Sequence, residues 1–500
     1  MTTEFPNSLQ VDVGRLEYND ETFRHVKKNS SFSRVPLLNV LWAEVDNNGT
    51  IIITTLAPSS GKLVFHPIEV ELRKPKAKAK KEGEKEAKAI LNEAQNWTET
   101  LLAAAYKGLK REKKFHVLIN PIGGKGKAST IYERDVRPIF KAARCEADVT
   151  VTERAGHMLE LAQEIDLDCD AIIILSGDGG IHEVINGLAK HPNARKALRI
   201  PLAQIPTGSA NALCVNLLGP KVCLLDTGSF YVSNKLQDAF SIEKACLNAI
   251  KGRPIKQNIY SIKQGDKQYL SFLSQAAGLM ADLDLGTEHL RWMGDGRFMV
   301  GYMRGVISKK LCPVEIEYKL VESNKIEMAT TAKSKFKDTH FYNDEDDEME
   351  DVAQSLPWEV NGESSSSEEW TKFENPVMYL YAGGLPYVGR DLMQFPAASP
   401  SDGCIDLVIQ SKATRSTMIK AAVGAEKGDQ YWLDCQYYFK VTSYRFKPLG
   451  QGNLSIDGEV YPFEPFELQV HPGILRLLTL DGRYIADAFE PGAAILKATQ

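Results

Sequence analysis

An aspartate, Asp178, stands in a glycine-rich turn, Ser176 to Gly180, between an apolar run and a helical pattern. The run Ala171 to Leu175 is too short for a helix and predicts a buried strand, whereas the apolar residues after the turn recur at helical spacing. Such a turn directs backbone N–H groups and the positive end of a helix dipole at an anion, typically phosphate. A carboxylate there repels phosphate unless it binds a metal or takes a proton. We therefore interpret the turn as a phosphoryl-transfer site with Asp178 as its acid–base group.

Two further loops with phosphate-binding chemistry follow predicted strands. Residues 116–128 (HVLINPIGGKGKA) combine a strand, a loop of glycines and lysines, and the start of a helix, and residues 206–213 (PTGSANAL) follow a strand that ends at Ile205. Ala128 stands where a Walker A loop needs Ser or Thr, so residues 116–128 are not that motif, and a purely structural turn stays open. A fourth loop follows the predicted strand Ala147 to Thr152. Because the carboxyl ends of parallel strands meet at one sheet edge, we expect the four loops to converge there.

The composition narrows the class of protein. The chain has 500 residues, a formal net charge of −5 and eight scattered cysteines without a CxxC pair. This charge gives no electrostatic case for nucleic-acid binding, and the cysteine pattern is typical of reduced thiols in the cytosol. No signal peptide stands out, and no apolar run is long enough to span a membrane. We expect a cytoplasmic protein that associates peripherally with membranes.

Changes of pattern along the chain predict its domains. Residues 1–74 alternate short β-like runs with turns and predict a small β-rich domain, and residues 75–111 combine a charged linker with a helix. Strand–loop–helix units repeat over residues 112–250 and predict an α/β domain, a parallel sheet with helices on both faces. Short strands over residues 251–490 predict an antiparallel β-sandwich domain. An acidic, Ser-rich tract, residues 335–369, interrupts it, and we expect this insertion to be disordered.

The order of the motifs resembles that of a known family. The segments NPIGGKGKA, VTVTERAGH, SGDGGIHEVINGL, PTGSANAL, AGLMADLDLGTEHLRWMGDGRF and IDGE occur in the order found in sphingosine, or sphingoid long-chain base, kinases. These enzymes belong to the broader diacylglycerol-kinase catalytic family, and the resemblance covers residues 112–490 without the acidic tract. It implies a lipid kinase that uses ATP and Mg²⁺ and holds the nucleotide between the α/β domain and a lipid-binding β-sandwich.

The resemblance also implies roles for individual residues. Asp178 matches the general base that accepts the proton of the lipid primary hydroxyl. The implied nucleotide contacts are Asn120, Pro121, Ile122, Gly123, Gly124, Lys125, Thr152, Glu153, Arg154, Ala155, Gly156, Glu183, Gly208, Ser209, Ala210, Arg291, Arg297, Asp457, Gly458 and Glu459. The implied substrate contacts are Ser176, Gly177, Gly179, Asp284 and Glu288. Among these, the Asp284 carboxylate would pair with the amino group of a sphingoid base. Asp457 or Glu459 is the candidate contact to magnesium through Mg-ATP.

Three positions depart from the family pattern. Ile122 stands where some relatives have Arg, Ala210 where Gly is usual, and Gly286 where an acid is found. None of these changes removes Asp178, so we expect phosphorylation of a sphingoid base at its 1-hydroxyl. The alternatives are a kinase for another lipid, such as diacylglycerol or ceramide, and a non-catalytic lipid-binding scaffold.

The sequence also gives expectations for a membrane-docking surface, for the quaternary arrangement and for His182. The apolar residues Phe298, Val300, Tyr302 and Met303 suit either a membrane-docking surface or a plain core helix. A homodimer stays open as the quaternary arrangement. We interpret His182 as a member of a polar network, because its neighbour in sequence, a glutamate, lies on a diverging helix face and forms no metal motif with it.

Overall fold

The computed structural model describes most of the chain and divides it into two compact units. The described residues are 5–27, 32–59, 62–76, 79–123, 126–208, 211–220, 241–286, 302, 305, 310–335 and 369–490, with the side chains at 32, 33, 62 and 284–286 left out. The first unit comprises residues 1–115, 131–148 and 222–251, and the second comprises residues 116–130, 149–221 and 252–500. Residues 336–368 of the predicted acidic insertion lie outside the described residues.

The strands of the described residues form four sheets. They are β1 (Asn7–Val11), β2 (Gly14–Tyr18), β3 (Thr22–Val26), β4 (Phe32–Pro36), β5 (Val40–Val45), β6 (Thr50–Ser59), β7 (Lys62–Glu71), β8 (Lys114–Ile119), β9 (Glu146–Val151), β10 (Ala171–Ser176), β11 (Leu202–Pro206), β12 (Arg253–Gln264), β13 (Lys267–Ser271), β14 (Ser274–Gly278), β15 (Val314–Glu322), β16 (Thr371–Lys372), β17 (Val377–Gly383), β18 (Tyr387–Gly389), β19 (Leu392–Met393), β20 (Ile405–Ser411), β21 (Gln436–Pro448), β22 (Leu454–Ile456), β23 (Glu459–Tyr461) and β24 (Phe466–Thr479). Strands β1–β4, β5–β7 and β18–β19 make the three smaller sheets, and the other strands make one large sheet.

The helices of the described residues range from single turns to one long rod. They are α1 (Lys80–Tyr106), α2 (Ala128–Ile131), α3 (Arg137–Ala142), α4 (His157–Gln163), α5 (Asp178–Leu188), α6 (Ala194–Ala197), α7 (Ala212–Leu218), α8 (Ile242–Lys251), α9 (Leu279–Gly286), α10 (Lys325–Lys335) and α11 (Arg415–Val423). Residues Tyr132–Val136 add a π-helical turn between α2 and α3. Short 3₁₀ turns lie at Leu37–Asn39, Ala425–Lys427 and Asp429–Trp432.

The first unit contains two antiparallel meanders and helix α1, which packs against β5. The apolar stripe of α1 is buried, and its Trp97 meets Tyr18 edge-to-face with ring centroids 5.6 Å apart. The helix begins at Lys80. Half of the charged run that the sequence marks as a linker is therefore the exposed first part of α1.

A buried lysine joins distant parts of the first unit. The Lys251 ammonium donates hydrogen bonds to the carbonyls of Leu37 (3.2 Å), Val40 (2.5 Å) and Ala105 (3.1 Å), and it lies 4.5 Å from the centroid of the Tyr106 ring. Helix α8, which ends at Lys251, thus packs with residues from the N-terminal meanders. For this reason the compact units interleave along the chain, whereas the sequence predicts domains that follow one another.

The second unit is organised by the strand β10, whose residues are all buried. Strands β10 and β11 pair in parallel from Ile172↔Leu202 to Ser176↔Pro206. The sheet continues in the order β24, β11, β10, β8, β9. The loops after β8, β10 and β11 contain the three motifs with phosphate-binding chemistry. This α/β part confirms the predicted fold class.

Strand β24 joins the parallel strands to the antiparallel region. It pairs in parallel with β11 at Leu202↔Leu477 and antiparallel with β12 and β21. The antiparallel strands enclose an apolar core in which Tyr260, Leu380 and Tyr444 have no exposed surface. The large sheet is therefore mixed, and its antiparallel part confirms the predicted antiparallel C-terminal β domain.

Candidate active site

The aspartate of the glycine-rich turn is the first residue of helix α5. Strand β10 ends at Ser176, and Gly177 forms an extended connection with φ −81° and ψ −170°. Gly179 and Gly180 already belong to the helix, so the turn is shorter than the sequence suggests. A Cβ on Gly180 would overlap the buried Ser176 side chain, which explains why this tight strand-to-helix junction needs glycine.

The Asp178 carboxylate caps the neighbouring helix α7. Its Oδ2 accepts a hydrogen bond from the Ala212 amide (2.7 Å), and its Oδ1 accepts one from the Leu213 amide (3.2 Å). The residue that precedes α7, Asn211, is instead bonded to Gly208 through both side-chain atoms, at 3.2 and 2.9 Å. The sequence suggests that the amides at this helix start face phosphate, but Asp178 occupies two of them. The two predicted loops are thus coupled through one carboxylate.

Burial changes the acidity of Asp178. The side chain is 4% exposed, and its desolvation raises the pKa to about 6. The Ala212 and Leu213 amides act in the opposite direction by stabilising the charged form, while the nearby Asp457 carboxylate raises the pKa further. A carboxylate with this pKa is a stronger proton acceptor than an ordinary aspartate and is still mostly ionised at neutral pH. Asp178 is therefore suited to act as a general base.

Asp457, a residue between β22 and β23, is fully engaged inside the protein. Its backbone has φ +51°, and it is 2% exposed. Its oxygens accept hydrogen bonds from five donors: Ser271 Oγ (2.6 Å), the amides of Phe272 (3.1 Å), Leu273 (2.9 Å) and Ser274 (2.9 Å), and His182 Nδ1 (2.8 Å). A carboxylate has about four lone-pair sites. This geometry favours an anchor that holds the turn and leaves no coordination position for a metal.

A histidine of helix α5 connects Asp457 to the strand that follows the turn. His182 is 7% exposed, and its two ring nitrogens lie 2.8 Å from Asp457 Oδ2 and 2.8 Å from the Tyr461 hydroxyl. This confirms that His182 belongs to a polar network. The sequence patterns did not single out its partner Tyr461, although this residue lies two positions after the Asp457–Glu459 turn.

The anchored turn places Glu459 above the start of helix α5. A Cβ on Gly179 would overlap Oε1 of Glu459, so this glycine leaves the space that the carboxylate occupies. Glu459 is exposed, in contrast to Asp457. Gly458 between them has φ +84°, a backbone region that favours glycine. Of the two carboxylates that the sequence proposes for magnesium, Glu459 is the one at the surface beside Asp178.

The loop after β8 is organised by Asn120. Its side-chain Oδ1 accepts hydrogen bonds from the backbone amides of Ile122 and Gly123, both at 3.1 Å. The backbone N–H of Asn120 donates to the Leu175 carbonyl at 3.0 Å. Pro121 and Gly123 are half-buried, whereas Ile122 is 74% exposed. The loop therefore lies beside the end of β10. Gly124 and Lys125 fall outside the described residues.

The segment after β9, residues 152–156, is held by the helix that starts at Asp178. Glu183 Oε1 accepts a hydrogen bond from the Gly156 amide at 3.1 Å, and the buried Thr152 donates through its hydroxyl to the Ile119 carbonyl at 3.2 Å. Arg154 pairs with Glu160 on helix α4, with Nη1 and Oε1 2.7 Å apart, and Glu153 and Ala155 are exposed. The half-buried Glu183 therefore holds this segment through a hydrogen bond to its backbone.

Several predicted contacts lie wholly or partly outside the described residues. Asp284 lies in helix α9, but its side chain is not described. Ser209, Ala210, Glu288, Arg291 and Arg297 lie outside the described residues. Gly177, Gly179 and Gly208 are half-buried at the loop ends where the site assembles. In the structure, Asp178 lies together with the loops after β8, β9 and β11 and with the Asp457–Glu459 turn.

The described residues contain no metal-ligand cluster, no helix suited to span a membrane and no disulfide bond. They contain no cluster of three or more metal-ligating side chains. None of their helices has the length and apolarity that a membrane span requires. None of the seven cysteines among them forms a disulfide.

Comparison with protein families gives three separate matches along the chain. Residues 114–255 match the diacylglycerol kinase catalytic domain, and residues 355–479 match the "YegS C-terminal NAD kinase beta sandwich-like domain". Residues 8–107 match a domain of unknown function. A crystal structure titled as a diacylglycerol kinase from Bacillus anthracis str. Sterne covers 74% of this chain and 98% of its own, with 15% identity and a TM-score of 0.44.

Comparison with individual proteins gives long alignments. Sphingoid long chain base kinase 4 of Schizosaccharomyces pombe is 32% identical over 444 residues, which is 88% of this chain and 86% of that protein. Sphingoid long chain base kinase 5 of Saccharomyces cerevisiae is 32% identical over 80% of this chain and 64% of its own length. Sphingosine kinase 1 of Rattus norvegicus is 28% identical over 74% of this chain and 92% of its own. The chain belongs to the sphingoid long-chain base kinase family.

Proposed function

We propose that this protein transfers the γ-phosphoryl group of ATP to the primary hydroxyl of a sphingoid long-chain base and yields the 1-phosphate. The family supports lipid kinase activity and the substrate class, since long-aligned relatives are named for sphingoid bases and sphingosine. One structural observation carries the mechanism: Asp178 is buried at a helix start, has a pKa raised to about 6, and accepts hydrogen bonds from the first amides of helix α7.

Asp178 is the proposed general base. Phosphoryl transfer depends mainly on positioning and charge stabilisation, and the base accepts the proton of the attacking hydroxyl. The Ala212 and Leu213 amides take one acceptor position on each Asp178 oxygen, which leaves further lone pairs for a hydroxyl. They also fix the direction of the carboxylate, because helix α7 holds both oxygens at once. A base held in this way needs little reorganisation before proton transfer.

Mg-ATP supplies the phosphoryl group in this proposal. Mg²⁺ prefers oxygen ligands and is usually held by one or two carboxylates together with the phosphates of its nucleotide. The exposed Glu459 beside Gly179 fits that requirement, and Asp457 fixes the turn that presents it. The loop ordered by Asn120 and the segment held by Glu183 are the proposed nucleotide contacts, but the amides of Ile122, Gly123 and Gly156 already donate to these two side chains. Arg291 and Arg297 remain proposed phosphate contacts.

The proposed recognition of the substrate amine involves Asp284. An ammonium group and a carboxylate form a charge-assisted hydrogen bond, so a carboxylate at this place favours an amine-bearing lipid over a neutral one. Glu288 and the turn formed by Ser176, Gly177 and Gly179 complete the proposed lipid contacts. Ser176 itself is buried and its carbonyl accepts a hydrogen bond from the Gln204 side chain at 3.2 Å, so we expect the half-buried Gly177 and Gly179 to face the lipid more directly.

The proposed place of action is the cytoplasmic face of a membrane, reached by peripheral association, because the substrate is a membrane lipid. A homodimer stays a prediction that sedimentation velocity of the purified protein tests.

The experiment that tests the proposed function is transfer of labelled phosphate from ATP to a lipid panel in detergent micelles. The panel contains a sphingoid base, ceramide and diacylglycerol, each assayed with and without Mg²⁺. We expect labelling of the free base alone, and only with Mg²⁺. Labelling of a neutral lipid would show that the substrate is not a sphingoid base, while Asp178 would still be the proposed general base. ATP binding without transfer to any lipid would overturn the kinase proposal in favour of a lipid-binding scaffold.

A further inference from the structure

Helix α11, residues Arg415–Val423, presents an exposed apolar pair in the second unit. Ile419 is 45% exposed and Val423 is 80% exposed, and four-residue spacing puts them on the same side of the helix. The opposite side is packed, since Met418 has no exposed surface and Ala421 is 8% exposed. The helix is only weakly amphipathic as a whole, and Ile419 and Val423 form a local apolar pair in solvent.

Cationic side chains surround this apolar pair. Lys412 before the helix, Arg415 and Lys420 in it, and Lys427 after it are all exposed. The acidic groups of the same segment, Glu426 and Asp429, lie after the end of the helix. Residues 412–429 therefore have a net charge of +2, although the whole chain has −5. An apolar stripe flanked by lysines and arginines suits an anionic lipid surface.

The helix also adjoins the segment that leads to the proposed substrate site. The Tyr302 hydroxyl donates to the Met418 carbonyl at 3.0 Å, and Tyr302 is half-buried. Gly305, three residues further on, lies so close to Leu279 of α9 that a Cβ would overlap that side chain. Helix α9 contains Asp284. A membrane that touches α11 would therefore lie near the place where the lipid is proposed to enter.

This contact also changes the sequence expectation for Tyr302. The sequence leaves open whether Tyr302, with Phe298, Val300 and Met303, belongs to a membrane-docking surface or to a plain core helix, and its half-buried side chain is bonded to helix α11. The other three residues lie outside the described residues. Among the described residues, helix α11 presents Ile419 and Val423 as exposed apolar side chains.

We infer that helix α11 is a docking surface for an anionic bilayer, with Ile419 and Val423 entering the headgroup region and Lys412, Arg415, Lys420 and Lys427 facing acidic headgroups. The inference rests on the proposed function, because a kinase of membrane lipids must reach its substrate at a bilayer. Charge complementarity selects the occupant: a neutral bilayer or an apolar protein surface would gain nothing from the four cations.

The test is co-sedimentation of the full chain with vesicles of phosphatidylcholine containing one fifth phosphatidylserine, with pure phosphatidylcholine vesicles alongside. Ile419→Ser/Val423→Ser should lower the partition coefficient at least about tenfold. Lys412→Gln/Lys420→Gln should lower it by about 25-fold, at about fivefold for each charge near an anionic surface. The matched control is Val13→Ser/Val64→Ser, which changes two exposed valines of the first unit and should leave partitioning unchanged.

Kinase assays separate this inference from the proposed function. Both α11 variants should phosphorylate a sphingoid base in detergent micelles at the wild-type rate and lose activity only on vesicles. Loss of partitioning in the control variant, or wild-type partitioning in both α11 variants, would overturn the docking surface. A wild-type chain that binds neither kind of vesicle would overturn the docking surface. A wild-type dimer that Val423→Ser disrupts would assign α11 to a protein partner instead. An inactive wild type in micelles would refute the proposed function while leaving the vesicle result intact.

Discussion

Replacing Asp457 by asparagine separates two roles that the sequence leaves joined. If Asp457 binds magnesium, the substitution removes activity and leaves the fold intact. If Asp457 anchors the turn below Glu459, the substitution destabilises the second unit. The structure favours the anchor, because Asp457 accepts hydrogen bonds from Ser271, three successive amides and His182.

The size of the effect follows from these contacts. Asparagine keeps one acceptor oxygen, which can stay with Ser271, Leu273 and Ser274. Its amide nitrogen then faces the Phe272 amide, so that buried donor loses its acceptor at a cost of about 1–3 kcal/mol. The retained hydrogen bonds lose their charge assistance, which adds about 1 kcal/mol. We expect Asp457→Asn to lower the free energy of unfolding by about 2–4 kcal/mol.

The assay is urea unfolding of the full chain, followed by the kinase rate under conditions where each variant is folded. Asp166→Asn serves as the control, because Asp166 is exposed and caps only a local turn through the Asp168 amide. It should stay within about 0.5 kcal/mol of the wild type. An Asp457→Asn variant as stable as the control but without activity would refute the anchor and restore Asp457 as a metal ligand.

Three further predictions follow from the site and the first unit. Gly179→Ala should reduce kcat in the lipid assay at least about tenfold because its Cβ displaces Glu459, whereas Gly389→Ala, with open space around its Cα, should match the wild type; equal rates would refute the placement of Glu459. The kcat/KM profile should fall as the pH drops through about 6, because protonated Asp178 cannot act as a base. The stability that the raised pKa of Asp178 contributes should be fully present below the ordinary pKa of an aspartate and should be lost as the pH rises through about 6. A flat kcat/KM profile from about pH 5 to 7 would contradict the assignment of Asp178 as the base. Lys251→Met should lower the free energy of unfolding by about 2–4 kcal/mol, because three buried carbonyls lose their donor; an unchanged urea midpoint would show that the lysine is dispensable.

Local patterns predicted the elements of the site well. The apolar run before Ser176 is the buried strand β10, and the helical spacing after it is helix α5. Both depend on neighbours in sequence, through the periodicity of burial and the conformational freedom of glycine. The residues alone indicated an acid–base role for Asp178, and the family resemblance added its proposed role as general base and the proposed magnesium contact at Asp457 or Glu459.

Contacts between distant segments were not predictable from one sequence. The hydrogen bonds from Asp178 to helix α7 join residues 34 and 35 positions apart, and the contact between His182 and Asp457 spans 275 positions. No periodicity encodes such pairs. The inward direction of Asp457 and the outward direction of Glu459 depend on the left-handed backbone at Asp457, which tertiary contacts impose. Nothing in the sequence distinguishes Lys251 from an ordinary helix-end lysine, whereas in the structure its ammonium binds carbonyls more than 140 positions away in the chain.

The account depends most on Asp178 as the general base, and Asp178→Asn tests this directly. Asparagine has nearly the same shape and can still accept one helix amide, so the variant should fold and bind ATP in a calorimetric titration. Transfer of labelled phosphate to a sphingoid base should fall by at least about 100-fold, the smaller end of what a positioned base contributes. The Asp166→Asn control should retain the wild-type rate. An Asp178→Asn variant that binds ATP and transfers phosphate at the wild-type rate would contradict the central claim.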